Sequence, residues 1–123
     1  MPLEEFSIQT EAIPGKDVVL LRVSGYLDAH TFEDLEEAIS GLFSSRHYRV
    51  VVDLSEVAYI SSAGAGVFIG ALSEAQENGG DIVLFNPTNN VREVFDLLGL
   101  SQVFEIVDTL EQATATFGGK KSG

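Results

Sequence analysis

The sequence predicts a single α/β domain in which about four helices pack on a mixed central β-sheet, in the order β-β-α-β-α-β-α-β-α. Short apolar stretches typical of buried strands alternate with stretches whose apolar residues recur at helical spacing. Two strand-like segments also open the chain with no helix between them. The 123 residues are enough for one compact domain. We expect the domain over residues 1–117 and a disordered tail over 118–123.

The first two strands are expected to form an antiparallel hairpin. Residues 6–11, FSIQTE, alternate apolar and polar side chains as a half-buried strand does. Residues 18–24, VVLLRVS, form the second strand, and IPGK at 13–16 marks the turn between them. The hairpin would supply the antiparallel edge of the sheet.

A helix and a buried strand follow the hairpin. The helix is predicted because Phe32, Leu35, Ile39 and Leu42 recur every three or four residues, which places them on one helical face. The segment RVVVDL at 49–54 is almost entirely apolar, as strands in the middle of a parallel sheet are. We interpret the next six residues, SEVAYI, as a link to the second helix.

The remaining elements repeat the same alternation. Asn78, Gly79 and Gly80 end the second helix, because glycine and asparagine commonly follow the last helical turn. The predicted segments are a helix from about 64 to 78, a strand over 81–86, a helix within 88–100, a short strand over 104–107 and a last helix over 109–117.

Composition limits the partners of this chain. Seven basic residues against nineteen acidic ones give a formal net charge of −12, which disfavours nucleic acid and anionic membranes and favours a partner with a basic surface. The chain has no cysteine, as is common in a reducing cytosol. No apolar run approaches the ~20 residues of a membrane span, and the N-terminus does not resemble a signal peptide. We therefore expect a cytoplasmic protein without membrane insertion.

The sequence contains no pattern typical of an enzyme, a metal site or a cofactor site. Ser62, His30 and Asp28 could in principle form a hydrolytic triad, but Asp28 and His30 lie in one loop, and SSAGAG is not the strained GxSxG turn of a nucleophile. His30 and His47 are not spaced as metal ligands on one helix. No glycine-rich phosphate or dinucleotide loop is present.

A phosphate-receiving domain is the second alternative. Asp53 ends a buried strand, as a phospho-accepting aspartate would. That chemistry also requires an acidic pair after the first strand and a lysine late in the domain. The first strand ends in Thr10-Glu11-Ala12, and the lysines are Lys16, Lys120 and Lys121. We therefore expect a binding protein.

The segment SSAGAG at the start of the second helix raises a question, because glycine costs about 1 kcal/mol relative to alanine inside a helix. In a structural interpretation, Ser62 caps the helix, and Gly64 and Gly66 let it pack close to the sheet. In a functional one, the same small residues leave a hydroxyl open to another protein's active site. A phosphoryl group there would meet unpaired backbone N–H groups and the positive end of the helix dipole.

Three segments together are similar to one known family. GYLDAHTFEDLEEAI, VVVDLSEVAYISSAGAGVFIGAL and VREVFDLLGLSQVFEIVDTLEQA resemble a STAS domain of the anti-sigma factor antagonist type, over roughly residues 6–117. The resemblance implies a bacterial cytoplasmic protein whose unmodified form binds an anti-sigma factor that is also a serine kinase, and so frees the sigma factor. Phosphorylation of one serine would end the interaction, and a PP2C-type phosphatase would restore it.

The resemblance also implies roles for individual residues. The phospho-acceptor maps to Ser62, two residues before Gly64. Many relatives have aspartate before this serine and a second Ser or Thr after it, whereas this chain has Ser61 before and Ala63 after. Ser61 is therefore the alternative acceptor.

The partner surface expected from the resemblance surrounds these serines. It consists of Asp28, His30, Ser61, Gly64, Gly66 and Ile69. Ile69 could equally be a core residue. The alternative function is that of a STAS scaffold that works without phosphorylation as a subunit of a larger signalling or lipid-transport complex.

Overall fold

A five-stranded mixed sheet forms the centre of the protein. The computed structural model describes residues 6–118. The strands lie in the order β1-β2-β3-β4-β5, with β1 antiparallel to β2 and the other neighbours parallel. Their bounds are β1 Ser7–Ala12, β2 Val19–Leu27, β3 Arg49–Ile60, β4 Asp81–Phe85 and β5 Glu105–Val107.

Four α-helices connect and cover the strands in the predicted order. Their bounds are α1 Phe32–Ser44, α2 Ser62–Glu77, α3 Asn89–Leu97 and α4 Leu110–Gly118. A 3₁₀ turn at Leu100–Gln102, which sequence analysis did not predict, joins α3 to β5. The predicted fold class, with its N-terminal hairpin and parallel strands, is confirmed.

The two faces of the sheet are covered unequally. One face carries the larger core, where apolar side chains of α1, α2 and α3 pack on β2, β3 and β4. Phe68, Phe95 and Phe104 meet there with ring centroids 6.0 to 6.5 Å apart. On the other face, Ala113 and Phe117 of α4 cover only a small cluster that includes Val51 and Val83. No helix within residues 6–118 covers the rest of that face, on β1, β2 and β3.

Strands β2 and β3 continue further than the sequence predicted. The prediction ended them at residues 24 and 54, whereas they pair as far as Leu27 and Ile60. The segment interpreted as a link is therefore strand. Two register shifts in this stretch place the buried side chains of β3 at Leu54, Val57 and Ile60, three residues apart. This spacing hides the alternation by which a strand is recognised.

The other predicted boundaries differ from the observed ones by only a few residues. The second helix begins two residues earlier than predicted, at Ser62. The last helix includes Gly118, which the prediction assigned to a disordered tail. The remainder of that tail, 119–123, lies outside the described residues, and so does the start of the predicted domain, 1–5.

Candidate functional site

The start of α2 lies at the carboxyl end of β3, next to the end of β2. Ser61 is the N-cap of α2, because its backbone is extended and its hydroxyl oxygen accepts a hydrogen bond from the Gly64 N–H at 3.2 Å. The prediction that Ser62 caps the helix is therefore wrong by one residue. Sequence alone could not decide this, since both positions carry serine and serine is a favoured cap at either.

Ser62 is the first residue of α2 and is exposed. Within residues 6–118 its hydroxyl makes no hydrogen bond to another side chain or to the backbone. Its neighbour Ala63 is also exposed. The two serines thus differ: Ser61 is half-buried and its hydroxyl is engaged with the backbone, whereas Ser62 is exposed.

The two glycines of this segment have opposite environments. A Cβ on Gly64 would lie 2.7 Å from Leu27 Cγ and 2.9 Å from the Leu27 carbonyl oxygen, so Gly64 is required for α2 to pack against the end of β2. A Cβ on Gly66 would meet nothing within 4 Å. Close packing therefore explains Gly64 but not Gly66. Conversely, buried Gly64 is not part of the open surface, and Gly66 is.

The loop after β2 is fixed by hydrogen bonds among its own residues. The Asp28 carboxylate accepts from the His30 backbone N–H at 2.9 Å, and the Asp28 N–H donates to the Thr31 hydroxyl oxygen at 2.9 Å. The Thr31 hydroxyl in turn donates to the Tyr26 carbonyl at 2.8 Å. Asp28 and His30 were predicted at this site, and Thr31 was not, although its spacing of three from Asp28 is a recognisable turn signal.

One backbone contact joins this loop to the start of α2. The Ser61 N–H donates to the Leu27 carbonyl at 2.9 Å, directly before Asp28. Together with the packing of Gly64 on Leu27, it ties the ends of two neighbouring strands to the first turn of the helix. The structure therefore brings the predicted loop and the predicted serines together at one edge of the sheet.

The outward face of α2 extends the exposed surface away from the serines. Ser62, Gly66 and Ile69 are spaced by four and three residues, so they share one face of the helix, and all three are exposed. Ile69 is 44% exposed, which excludes the alternative that it is a core residue. The core face of α2 is formed by other residues, among them Phe68 and Ala71.

Two half-exposed tyrosines lie at the same edge, on the other face of the sheet. Tyr26 and Tyr59 are register partners on β2 and β3, with ring centroids 6.2 Å apart. These tyrosines were not predicted as site residues, because the extension of both strands past residues 24 and 54 was not predicted. They immediately precede Leu27 and Ile60, the last residues of their strands.

The residues considered as a hydrolytic triad are not arranged as one. The Asp28 carboxylate bonds the backbone of His30 and not its imidazole, as a relay would require. Asp53 accepts from the Ser55 N–H at 2.9 Å. Within residues 6–118, no group of three histidine, aspartate or glutamate side chains could hold a metal ion. Over the same residues, no helix is both long and apolar enough to span a bilayer.

Comparison with known proteins identifies the family. The STAS domain model matches residues 7–113. The anti-sigma-B factor antagonist of Listeria monocytogenes is 32% identical over 90 residues, which cover 73% of this chain and 79% of that protein. The chain belongs to the STAS domain family.

Two solved structures of proteins named SpoIIAA, the phosphorylated one from Bacillus, are also similar. The unphosphorylated form of this anti-sigma factor antagonist has a TM-score of 0.78 and 25% identity, over 92% of this chain and 97% of that one. The phosphorylated form has a TM-score of 0.69 and 26% identity, over 90% and 99%. The fold described above is thus similar to SpoIIAA structures solved both without and with phosphorylation.

Proposed function

We propose that this protein is an anti-sigma factor antagonist whose binding is switched by phosphorylation of Ser62. Its unmodified form binds an anti-sigma factor with serine kinase activity and releases the sigma factor. The kinase transfers the γ-phosphoryl group of ATP to the Ser62 oxygen, which loses its proton, and ADP leaves. A PP2C-type phosphatase hydrolyses the phosphoserine and restores the binding form. All of these partners act in the cytoplasm.

The observation that carries this proposal is the contrast between the two serines. Ser62 is exposed at the first position of α2, where a phosphoryl group would gain from the helix dipole and from free backbone N–H groups. Ser61 is committed to capping, since its hydroxyl oxygen accepts from Gly64. Modification of Ser61 would have to take place on this engaged oxygen of a half-buried residue, whereas the Ser62 hydroxyl makes no such bond within residues 6–118. The acceptor is therefore assigned to Ser62 in preference to Ser61.

The partner surface is the outward face around Ser62. It includes Gly66 and Ile69 on α2 and the loop that carries Asp28 and His30. Gly66 costs α2 about 1 kcal/mol relative to alanine, and no internal contact requires it. This supports close approach of another protein at that point. Gly64 contributes indirectly, because it allows α2 to lie against Leu27 and keeps the loop beside the helix.

Phosphorylation acts on the contact and not on the fold. The group adds about −1.5 to −2 charges and three oxygens to a surface that is built of small residues for close approach. A contact that fits the Ser62 hydroxyl has no room for the phosphoryl group. An unpaired charge buried in that contact is also strongly unfavourable. The same charge suits the N-terminus of α2. Binding is therefore lost while the helix stays folded.

The experiment is a displacement assay. Purified complexes of each anti-sigma factor with its sigma factor, from the organism that encodes this chain, are mixed with the unphosphorylated protein. We expect release of the sigma factor from one complex, measured by size-exclusion chromatography, and no release by protein first incubated with ATP and the matching kinase. Failure to bind any of these anti-sigma factors would contradict the proposal and leave the scaffold function.

A further inference from the structure

We propose that the uncovered sheet face beside the Ser62 segment, centred on Tyr26 and Tyr59, binds an arginine-bearing segment of the partner protein. The inference rests on the proposed function for the identity of that partner, an anti-sigma factor. The chemistry of the surface is independent of it. The partner would then contact both sides of the sheet edge: α2 on one side and the tyrosine pair on the other.

The surface consists of three successive cross-strand pairs on β2 and β3. They are Arg22 with Asp53, Ser24 with Glu56, and Tyr26 with Tyr59. Next to the tyrosines, the first two pairs line a depression of about 340 Å³ with Ser7 and Gln9 of β1. No helix covers this part of the described sheet, since α4 packs near the start of β3, at Val51, and on β4 and β5.

The tyrosine pair is the apolar centre of this surface. Tyr26 is 50% exposed and Tyr59 is 45% exposed. Half-exposed aromatic side chains commonly contribute much of the binding energy at protein interfaces, where tyrosine and arginine are enriched. The two rings stand at 40° to each other, so a planar guanidinium can lie over one ring and touch the other.

The charged residues of this surface favour a positively charged ligand. Glu56 is exposed and, among residues 6–118, has no ion-pair partner. Asp53 already bonds the Ser55 N–H, and the basic residue of the surface, Arg22, lies 4.0 Å from Glu11. The carboxylate next to the tyrosines is therefore the one available to a partner. Because the whole chain carries −12, it also attracts basic segments from a distance.

The tyrosine surface is continuous with the contact proposed around Ser62, because the two lie side by side at the ends of β2 and β3. Tyr26 is followed by Leu27 and Asp28, and Tyr59 by Ile60 and Ser61. The Thr31 hydroxyl also bonds the Tyr26 carbonyl, so the loop and the tyrosine strand are held together. A partner segment that passes over the sheet edge reaches both surfaces without crossing the core.

The first test uses a defined probe, the peptide acetyl-Gly-Arg-Gly-Arg-Gly-amide, titrated into the full chain and followed by NMR of the tyrosine rings. The matched peptide with citrulline in place of arginine has nearly the same shape and no charge. We expect saturable shifts at Tyr26 and Tyr59 with arginine only. Shifts confined to the acidic helix α1, with the tyrosine rings unmoved, would overturn the proposal.

Substitutions distinguish the contribution of the tyrosine rings to peptide binding from that of the Glu56 charge. An exposed cation–π contact changes affinity roughly 2- to 5-fold, so Tyr26→Ser and Tyr59→Ser should each weaken peptide binding by that factor. Tyr26→Phe and Tyr59→Phe keep the rings and should bind normally. Glu56→Gln should weaken binding and reduce its salt dependence. Unchanged affinity in both serine variants, with thermal unfolding as for the parent chain, would refute the proposal.

The same variants are then measured against the purified anti-sigma factor. If the wild-type chain binds it and the serine variants bind several-fold more weakly, both proposals hold. If the wild-type chain binds and the serine variants bind equally well, the tyrosine surface is not used and this inference fails alone. If no anti-sigma factor binds the wild-type chain while the arginine peptide does, the proposed function fails and the chemistry of the surface stands.

Discussion

The Ser62→Asp variant is expected to fold normally and to lose anti-sigma factor binding by more than about 100-fold. Aspartate places a permanent charge where the proposed phosphoryl group would attach, and an unpaired charge in a packed contact costs about 3–5 kcal/mol. At the first position of α2 the same charge favours the helix by about 0.3–1 kcal/mol. Titration calorimetry measures the binding and thermal unfolding measures the fold.

The chain offers a matched control for this variant in α3. Thr88 caps α3 by accepting from the Val91 N–H, as Ser61 caps α2, and Asn89 is the exposed first residue of that helix. Asn89→Asp therefore adds the same charge at the same helical position, on a residue that is not assigned to the proposed contact, and it should bind normally. Ser62→Ala should also bind, and it should resist the kinase. Equal binding by Ser62→Asp and Asn89→Asp would show that Ser62 is no switch.

Alanine at Gly64 and at Gly66 is expected to change stability in opposite directions. In Gly64→Ala the new Cβ would lie 2.7 Å from Leu27 Cγ and 2.9 Å from the Leu27 carbonyl. Overpacking of this kind costs roughly 1–3 kcal/mol, which exceeds the gain in helix propensity of about 1 kcal/mol. In Gly66→Ala the Cβ meets nothing within 4 Å, so only the gain remains. Denaturant unfolding measures both values.

The affinities of the two glycine variants for the anti-sigma factor then distinguish a role in packing of α2 from a role in the partner contact. Gly66→Ala should be at least as stable as the parent chain and yet bind the anti-sigma factor more weakly, because its methyl group occupies the proposed approach. Gly64→Ala should weaken binding only as far as it displaces α2 from Leu27. If Gly66→Ala binds as tightly as the parent chain, the partner does not approach α2 at that point.

The order of strands and helices was predictable, because most elements carry a regular pattern of apolar residues. The end of β3 was not. The spacing of its buried residues Leu54, Val57 and Ile60 results from the register shifts between β2 and β3. These shifts depend on strand pairing and not on local sequence. Missing this extension also concealed the Tyr26–Tyr59 pair, since its neighbours on the sheet could not be known.

The candidate site was predictable as a location but not in detail. The resemblance implied that the Asp28 loop and the serines form one surface, and the backbone bond from Ser61 to Leu27 joins them. Sequence alone could not distinguish the capping serine from the exposed one. It also could not distinguish Gly64 from Gly66, because the difference lies in what a Cβ would meet across space.

Phosphopeptide mapping tests the central proposal most directly. The protein is purified from its own host, and its intact mass is measured before and after treatment with a PP2C-type phosphatase. We predict a species heavier by roughly 80 Da, one phosphate, that the phosphatase removes and that maps to Ser62. Phosphate on Ser61 would refute the assigned residue. A complete absence of phosphate in every growth phase would contradict the switch itself.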